Sequence, residues 1–124
     1  MEFIFIALKS IGKNNYNRLV LKNDKLVINK REFLIDEISR IEAEITEHIR
    51  VIEYLGRNIT EKTYPSGIIK FKLKNGDEVE VETLNPLTKL EELVLKLNII
   101  YDRLGKPKLY VSESSTYKNV YSRE

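Results

Sequence analysis

The chain has 124 residues, 42% hydrophobic and 32% charged, with a formal net charge of +2. The length suits one domain, the composition excludes a disordered chain, and the small net charge excludes a strong overall field for nucleic acid or anionic membrane, so such binding needs a local patch. With no cysteine and a single histidine, His48, the chain cannot build disulfides, thiolate chemistry, Cys-ligated metal centres or a mononuclear site with several imidazoles of its own.

The first apolar run, Phe3-Ile4-Phe5-Ile6-Ala7-Leu8, is too short to span a bilayer. Glu2 sits where a signal peptide carries positive charge. The run therefore predicts a buried strand. No other segment approaches membrane-spanning length, which places the protein in solution, and the lack of cysteine fits the cytoplasm. Arg18-Leu19-Val20-Leu21-Lys22 and Lys25-Leu26-Val27-Ile28-Asn29 flank Asn23-Asp24. Asn and Asp tolerate left-handed backbone geometry, so these residues predict a tight hairpin.

Residues 31–56 admit two readings. Leu34, Ile38, Ile41, Ile45, Ile49, Ile52 and Leu55 recur every three or four residues, which predicts an amphipathic helix over about 33–55, with Gly56 as its cap. The alternative is extended. Phe33-Leu34-Ile35 would lead through a turn at Asp36-Glu37 to Ile41, Ala43 and Ile45, which alternate with Glu42, Glu44 and Thr46, and a second strand would cover Ile49 and Val51. The β-branched content of this region leans towards strand, and the periodicity towards helix.

The next elements are clearer. Ile69-Lys70-Phe71-Lys72-Leu73-Lys74 alternates apolar and polar. Asn75-Gly76 predicts a type I′ turn, and Glu78-Val79-Glu80-Val81-Glu82 alternates again. Lys70, Lys72 and Lys74 are expected to face Glu78, Glu80 and Glu82 on the wet side. Asn85 is a candidate N-cap, and Pro86 suits the first helical position. Leu90, Leu93, Leu97, Ile100 and Leu104 recur at helical spacing as far as Gly105, so a helix over 86–104 should cap an open end of the sheet. Residues 106–124 read as a polar tail, with room for a short strand at Leu109-Tyr110-Val111. The expected organisation is one domain over 1–105, including an extra N-terminal strand, followed by that tail.

Three segments together resemble a bacterial pleckstrin-homology-like domain. They are Leu34-Ile35-Asp36-Glu37-Ile38-Ser39-Arg40-Ile41 after an early hairpin, the hairpin from Gly67 to Val81, and the helix from Pro86. The likeness covers roughly residues 16 to 104. It implies a short strand, a turn whose isoleucine plugs the core, and a long strand across the middle. The fold it implies is mainly β: a seven-stranded bent sheet or partly open barrel capped by one α-helix. The helical reading of the middle implies instead an α+β domain of βββαββα type.

The functional candidates are few. Glu42, Glu44 and Glu47 are read as a solvated strand face, and His48 as a surface histidine. The five glycines are isolated, so no phosphate-cradling loop is present, and Asn58-Ile59-Thr60 is a glycosylation sequon without a secretion signal. Lys9, Lys13, Arg18, Lys22, Lys25, Lys30 and Arg31 form a basic stretch. Within it Arg18, Lys22, Lys25, Lys30 and Arg31 are the candidate anion-binding patch, and Tyr16 offers a surface on which a base could stack. In the pleckstrin-homology family a basic first hairpin can hold phosphoinositide head groups, although Lys22 and Lys25 about so short a turn do not reproduce the lipid-binding pattern. The expectation is a non-enzymatic binding or assembly module without cofactor or small-molecule substrate. It would engage a protein partner or itself through a sheet edge or a groove beside the helix. The alternative is an anionic-surface binder, for acidic lipid or nucleic acid, through the basic N-terminal hairpin.

Overall fold

The computed structural model describes residues 2–9 and 15–123. Met1, Lys13 and Glu124, parts of the expected first strand, basic stretch and tail, lie outside the described residues. The fold is mainly β, with 62% of the described residues in strands, two antiparallel sheets, one C-terminal helix and no closed barrel among them. Four short strands form the first sheet as a simple meander: β1 (Glu2–Leu8), β2 (Tyr16–Lys22), β3 (Lys25–Ile28) and β4 (Arg31–Leu34). The turns from β2 to β3 and from β3 to β4 are tight because Asn23 and Asn29 accept positive φ, at 48° and 56°. Leu19, Leu21, Leu26, Ile28 and Phe33 point inward from this sheet.

The disputed middle is extended. A 3-10 turn at Ile35–Glu37 leads into β5 (Ile38–Leu55), one strand of 18 residues, and the helix expected over 33–55 does not form. The reason is the partner strand. Ile41 and Ala43 are fully buried against Phe71 and Ile69 of β6 (Asn58–Leu73), a pairing that a helix would forfeit. Ile35 and Ile38, on either side of the turn, are both fully buried. Nor is the middle two strands, because β5 runs unbroken through a bulge at Thr46. Ile49, Ile52 and Leu55, which complete the helical periodicity, sit on a part of β5 that leaves the core.

β6 turns into β7 (Glu78–Leu84), and the apolar positions of both strands face Leu19, Leu21 and Phe33 across the core. Phe33 and Phe71 lie 6.0 Å apart, ring centre to ring centre. The Asn75-Gly76 turn is not the two-residue type I′ loop expected. Only Gly76 has positive φ (93°), and the Gly76 amide donates to Leu73 O. The loop therefore has three residues with a left-handed glycine last, the other common hairpin solution. The shift sets the charge pairing. Lys70 faces Glu80 and Lys72 faces Glu78, but Glu82 faces Ile68, and Lys74 falls in the turn.

Helix α1 (Pro86–Arg103) follows the leucine spacing, with Leu90, Leu93, Leu97 and Ile100 buried and Leu104 exposed beyond its end. Asn85 stands at the N-cap position in a left-handed conformation and makes no side-chain capping bond. Gly105, at φ +66°, ends the helix, and the Lys106 amide donates back to Tyr101 O.

Residues 106–124 are not a loose tail where they are described. They form β8 (Tyr110–Ser114) and β9 (Lys118–Ser122), and β9 pairs with β5 from Arg40 to Glu44. The second sheet therefore has five strands in the order β7-β6-β5-β9-β8. With the first sheet this makes nine strands among the described residues, not seven, and two sheets rather than one bent sheet. Asn17 joins the two sheets. Its side chain donates to Glu82 O (2.8 Å) and accepts from the Asn29 amide (3.0 Å).

Tyr101 is the one fully buried aromatic residue of the helix, and its hydroxyl donates to Ile35 O. Tyr101→Phe removes the hydroxyl donor and leaves that carbonyl with the Ile38 amide alone. It is expected to cost about 1–2 kcal/mol in urea unfolding followed by circular dichroism. A loss within experimental error would mean that water reaches Ile35 O.

Candidate functional site

The pairing register makes the first functional feature plain. β9 stops opposite Glu44 on one side of β5, and β7 stops opposite Ser66 on the far side of β6. From His48↔Pro65 to Leu55↔Asn58 the two strands continue alone for eight residue pairs. At the usual rise this is an arm of about 27 Å. It begins at the bulge, where Ile45 faces Gly67, Glu47 faces Ser66, and Thr46 has no opposite residue. A bulge of this kind bends and twists the ribbon. Gly67 makes the close approach possible, since a Cβ there would lie 1.8 Å from Glu44 O.

The arm carries exposed apolar side chains among charged ones on both faces. Ile49, Val51, Tyr64 and Leu55 share one face, and Ile52, Tyr54 and Ile59 the other. Tyr54 is 72% exposed, Ile59 68% and Leu55 65%. Two ion pairs, Arg50 with Glu61 and Lys62 with Glu53, cross it. Among the described residues no strand flanks either edge, so backbone donors and acceptors there remain open to an incoming strand.

The five residues of the candidate anion patch are not gathered. Lys22 and Lys25 face each other across the first turn, and Arg18 lies on the same outer face of the sheet. Lys30 and Arg31 are at the other end of β3. Lys25 pairs with Glu32 at 3.0 Å and Arg31 with Asp77 at 3.7 Å. Tyr16 is opposite Leu8 on an outer face that also shows Ile4 and Ile6.

His48 stands opposite Pro65 at the root of the arm, edge-on to Tyr117. Glu42 is held by Arg40 (2.9 Å) and Lys72 (3.6 Å), while Glu44 and Glu47 are exposed. Among the described residues no three carboxylate or imidazole groups are placed to hold a metal ion. Beside the helix, Asn23, Asp24, Ile100, Arg103 and Leu104 line a shallow groove of about 380 Å³.

A larger cleft, about 890 Å³, opens where the start of β5, the β6–β7 turn and the end of β9 meet the Lys106-Pro107 segment. Arg40, Lys72, Lys74, Lys106 and Arg123 line it. Arg123 is its rigid wall. The guanidinium donates to Pro107 O (3.0 Å), Asp36 O (2.9 Å) and Ile38 O (3.3 Å), meets Asp36 Oδ1 at 3.1 Å, and lies 4.1 Å over the Tyr101 ring. It also holds the Asp36 carboxyl below its ordinary range by hydrogen bonding, with Lys106 adding to the effect. Sequence reading missed this cluster because its members come from four separated segments. No local pattern links Arg123 to a residue 87 positions earlier.

Comparison with protein-family models, with curated proteins and with solved structures finds no match for this chain. No helix among the described residues is long and apolar enough to cross a membrane.

Proposed function

We propose that this chain is a non-enzymatic binding and assembly module. Its β5–β6 arm takes a protein segment by strand addition, and a second copy of the chain is the first candidate partner. One observation carries the reading: a two-stranded ribbon runs eight pairs past its last flanking strand with apolar side chains on both faces. An isolated two-stranded ribbon is marginally stable in water, and an open apolar edge invites another strand. A pleckstrin-homology-like core is part of this proposal. What supports it is the order of seven strands followed by a single helix, with β8 and β9 as additions at the C-terminal end.

The test is the molar mass by light scattering across a concentration series. The wild-type chain is expected to exceed the monomer mass. Tyr54→Glu with Ile59→Glu, which puts charge on the arm while leaving the core untouched, is expected to return it to monomer. A wild-type monomer at every concentration, with arm amides exchanging as fast as an unfolded chain, would defeat the reading. The alternative, acidic lipid or nucleic acid held by the first hairpin, has weaker support, since two of its five cations already face carboxylates and two lie at the far end of β3.

A further inference from the structure

We propose that the cleft walled by Arg40, Lys72, Lys74, Lys106 and Arg123 is a binding site for a phosphate-bearing ligand. The charge count is the first argument. Five cations face three carboxylates: Asp36 is shared by Lys106 (3.7 Å) and Arg123 (3.1 Å), Glu42 by Arg40 and Lys72, and Glu78 reaches Lys72 at 3.8 Å. Among the described residues Lys74 makes no ion pair within 4.0 Å, although its charge also bears on Asp36. Counted over the described residues, two positive charges are left over. An excess of one sign in a concave site with protein walls focuses the field on a ligand of the opposite sign.

Hydrogen-bonding capacity is the second argument. Arg40 Nε is buried and has no acceptor. Arg40 meets Glu42 through one guanidinium nitrogen only, at the Oε1 that Lys72 also uses, so its Nε–H is a donor still to be satisfied by an incoming oxyanion. The guanidinium of Arg123 is locked by three carbonyls and Asp36, so it contributes field and shape without having to be ordered on binding. The three lysines supply mobile donors that suit a phosphate as point charges. A volume of about 890 Å³ lies within the range of small-ligand sites. The site shares no lining residue with the basic first hairpin or with the arm, so it stands independently of the assembly reading.

The probe is inorganic pyrophosphate, titrated at low salt into the full chain labelled with nitrogen-15. Saturable shifts are expected at Arg40, the 72–76 turn, Lys106 and Ser122, including the Arg40 Nε–H signal, and they should weaken as salt rises. Lys74→Glu should weaken binding about tenfold, an electrostatic penalty typical of a like charge placed at a binding site, while Lys74→Arg should preserve it. Lys106→Gln serves as a second variant if the first fails to fold. A parallel arm uses vesicles of phosphatidylcholine with and without phosphatidylserine. Co-sedimentation with the acidic vesicles, lost in Lys74→Glu, would identify a lipid headgroup as the source, and pyrophosphate shifts without it a soluble phosphate. Shifts centred on Arg18, Lys22 and Lys25, no saturation, or unaltered binding by a folded Lys74→Glu would overturn the proposal.

Discussion

Arg123→Ala is expected to destabilise the domain by about 2–4 kcal/mol, measured by urea unfolding and circular dichroism. The side chain is almost fully buried, at the last of the described residues. It satisfies Pro107 O, Asp36 O and Ile38 O and covers the Tyr101 ring. Truncation strands three carbonyls and leaves the half-exposed Asp36 carboxylate to Lys106 alone, and removing one partner of a buried charged network typically costs this much. Arg123→Lys keeps the charge but cannot span the same acceptors, so it should recover only a small part. A surface tail would predict a change within about 0.5 kcal/mol, which is the result that would refute the placement. The pH dependence follows from the same contact. The Asp36 carboxyl is held below its ordinary range in the folded chain. Its contribution is therefore present above the unfolded carboxylate pKa, near 4, and is lost as pH falls through the lower folded value. Asp36 is half exposed, so solvent screening makes that contribution small beside the hydrogen bonds. The Arg123→Ala penalty should nevertheless shrink below about pH 4.

Gly67→Ala is the second large effect, with an expected loss of about 3 kcal/mol or more. The added Cβ would sit 1.8 Å from Glu44 O, 2.9 Å from Glu44 C and 3.0 Å from the Ile45 Cα. All three atoms are backbone, so no side-chain rotation relieves the clash. The strands must part at the bulge, where β5 is also held by the Tyr117 carbonyl at Ile45 N. Overpacking of this kind exceeds the usual cost of an extra methyl group. The loss should be visible in two places, as a lower unfolding midpoint and as faster amide exchange on both sides of the bulge, from Ala43 to Ile49 and from Tyr64 to Ile69. A stable Gly67→Ala chain with unchanged exchange would show that Gly67 does not face Glu44. Because the bulge marks where the arm leaves the sheet, the same variant should also weaken any self-association through the arm.

Much of the core was legible in the chain itself. Leu19, Leu21, Phe71, Val79 and Val81 alternate as strands do, and Leu90, Leu93 and Leu97 fall on one helical face. For these residues local periodicity and burial agree, because each lies in an element whose two faces differ in polarity. The centre was harder to read. Ile38 to Leu55 fits a helix by spacing, and its extended state is decided by partners far away in the chain, Phe71 and Ile69 on one side and Val120 on the other. The Asn-Gly turn marked the right place but not the right loop, since the register of Lys72 with Glu78 leaves three residues to close it. The cleft left no trace in sequence, because charge excess in a concavity depends on where four distant segments meet.

Alone, the order of residues determined that the chain is rich in strands, that one amphipathic helix follows the Lys70–Glu82 hairpin, and that no cysteine or histidine cluster is present. Those properties follow from local periodicity and residue inventory. Tertiary structure decided that the isoleucine-rich middle pairs instead of coiling, that the last residues lock onto Asp36 and Tyr101, and that half of the β5–β6 hairpin stands outside the sheet. These depend on hydrogen bonds and contacts between residues far apart in the chain, whose free energy outweighs the local preference at each position.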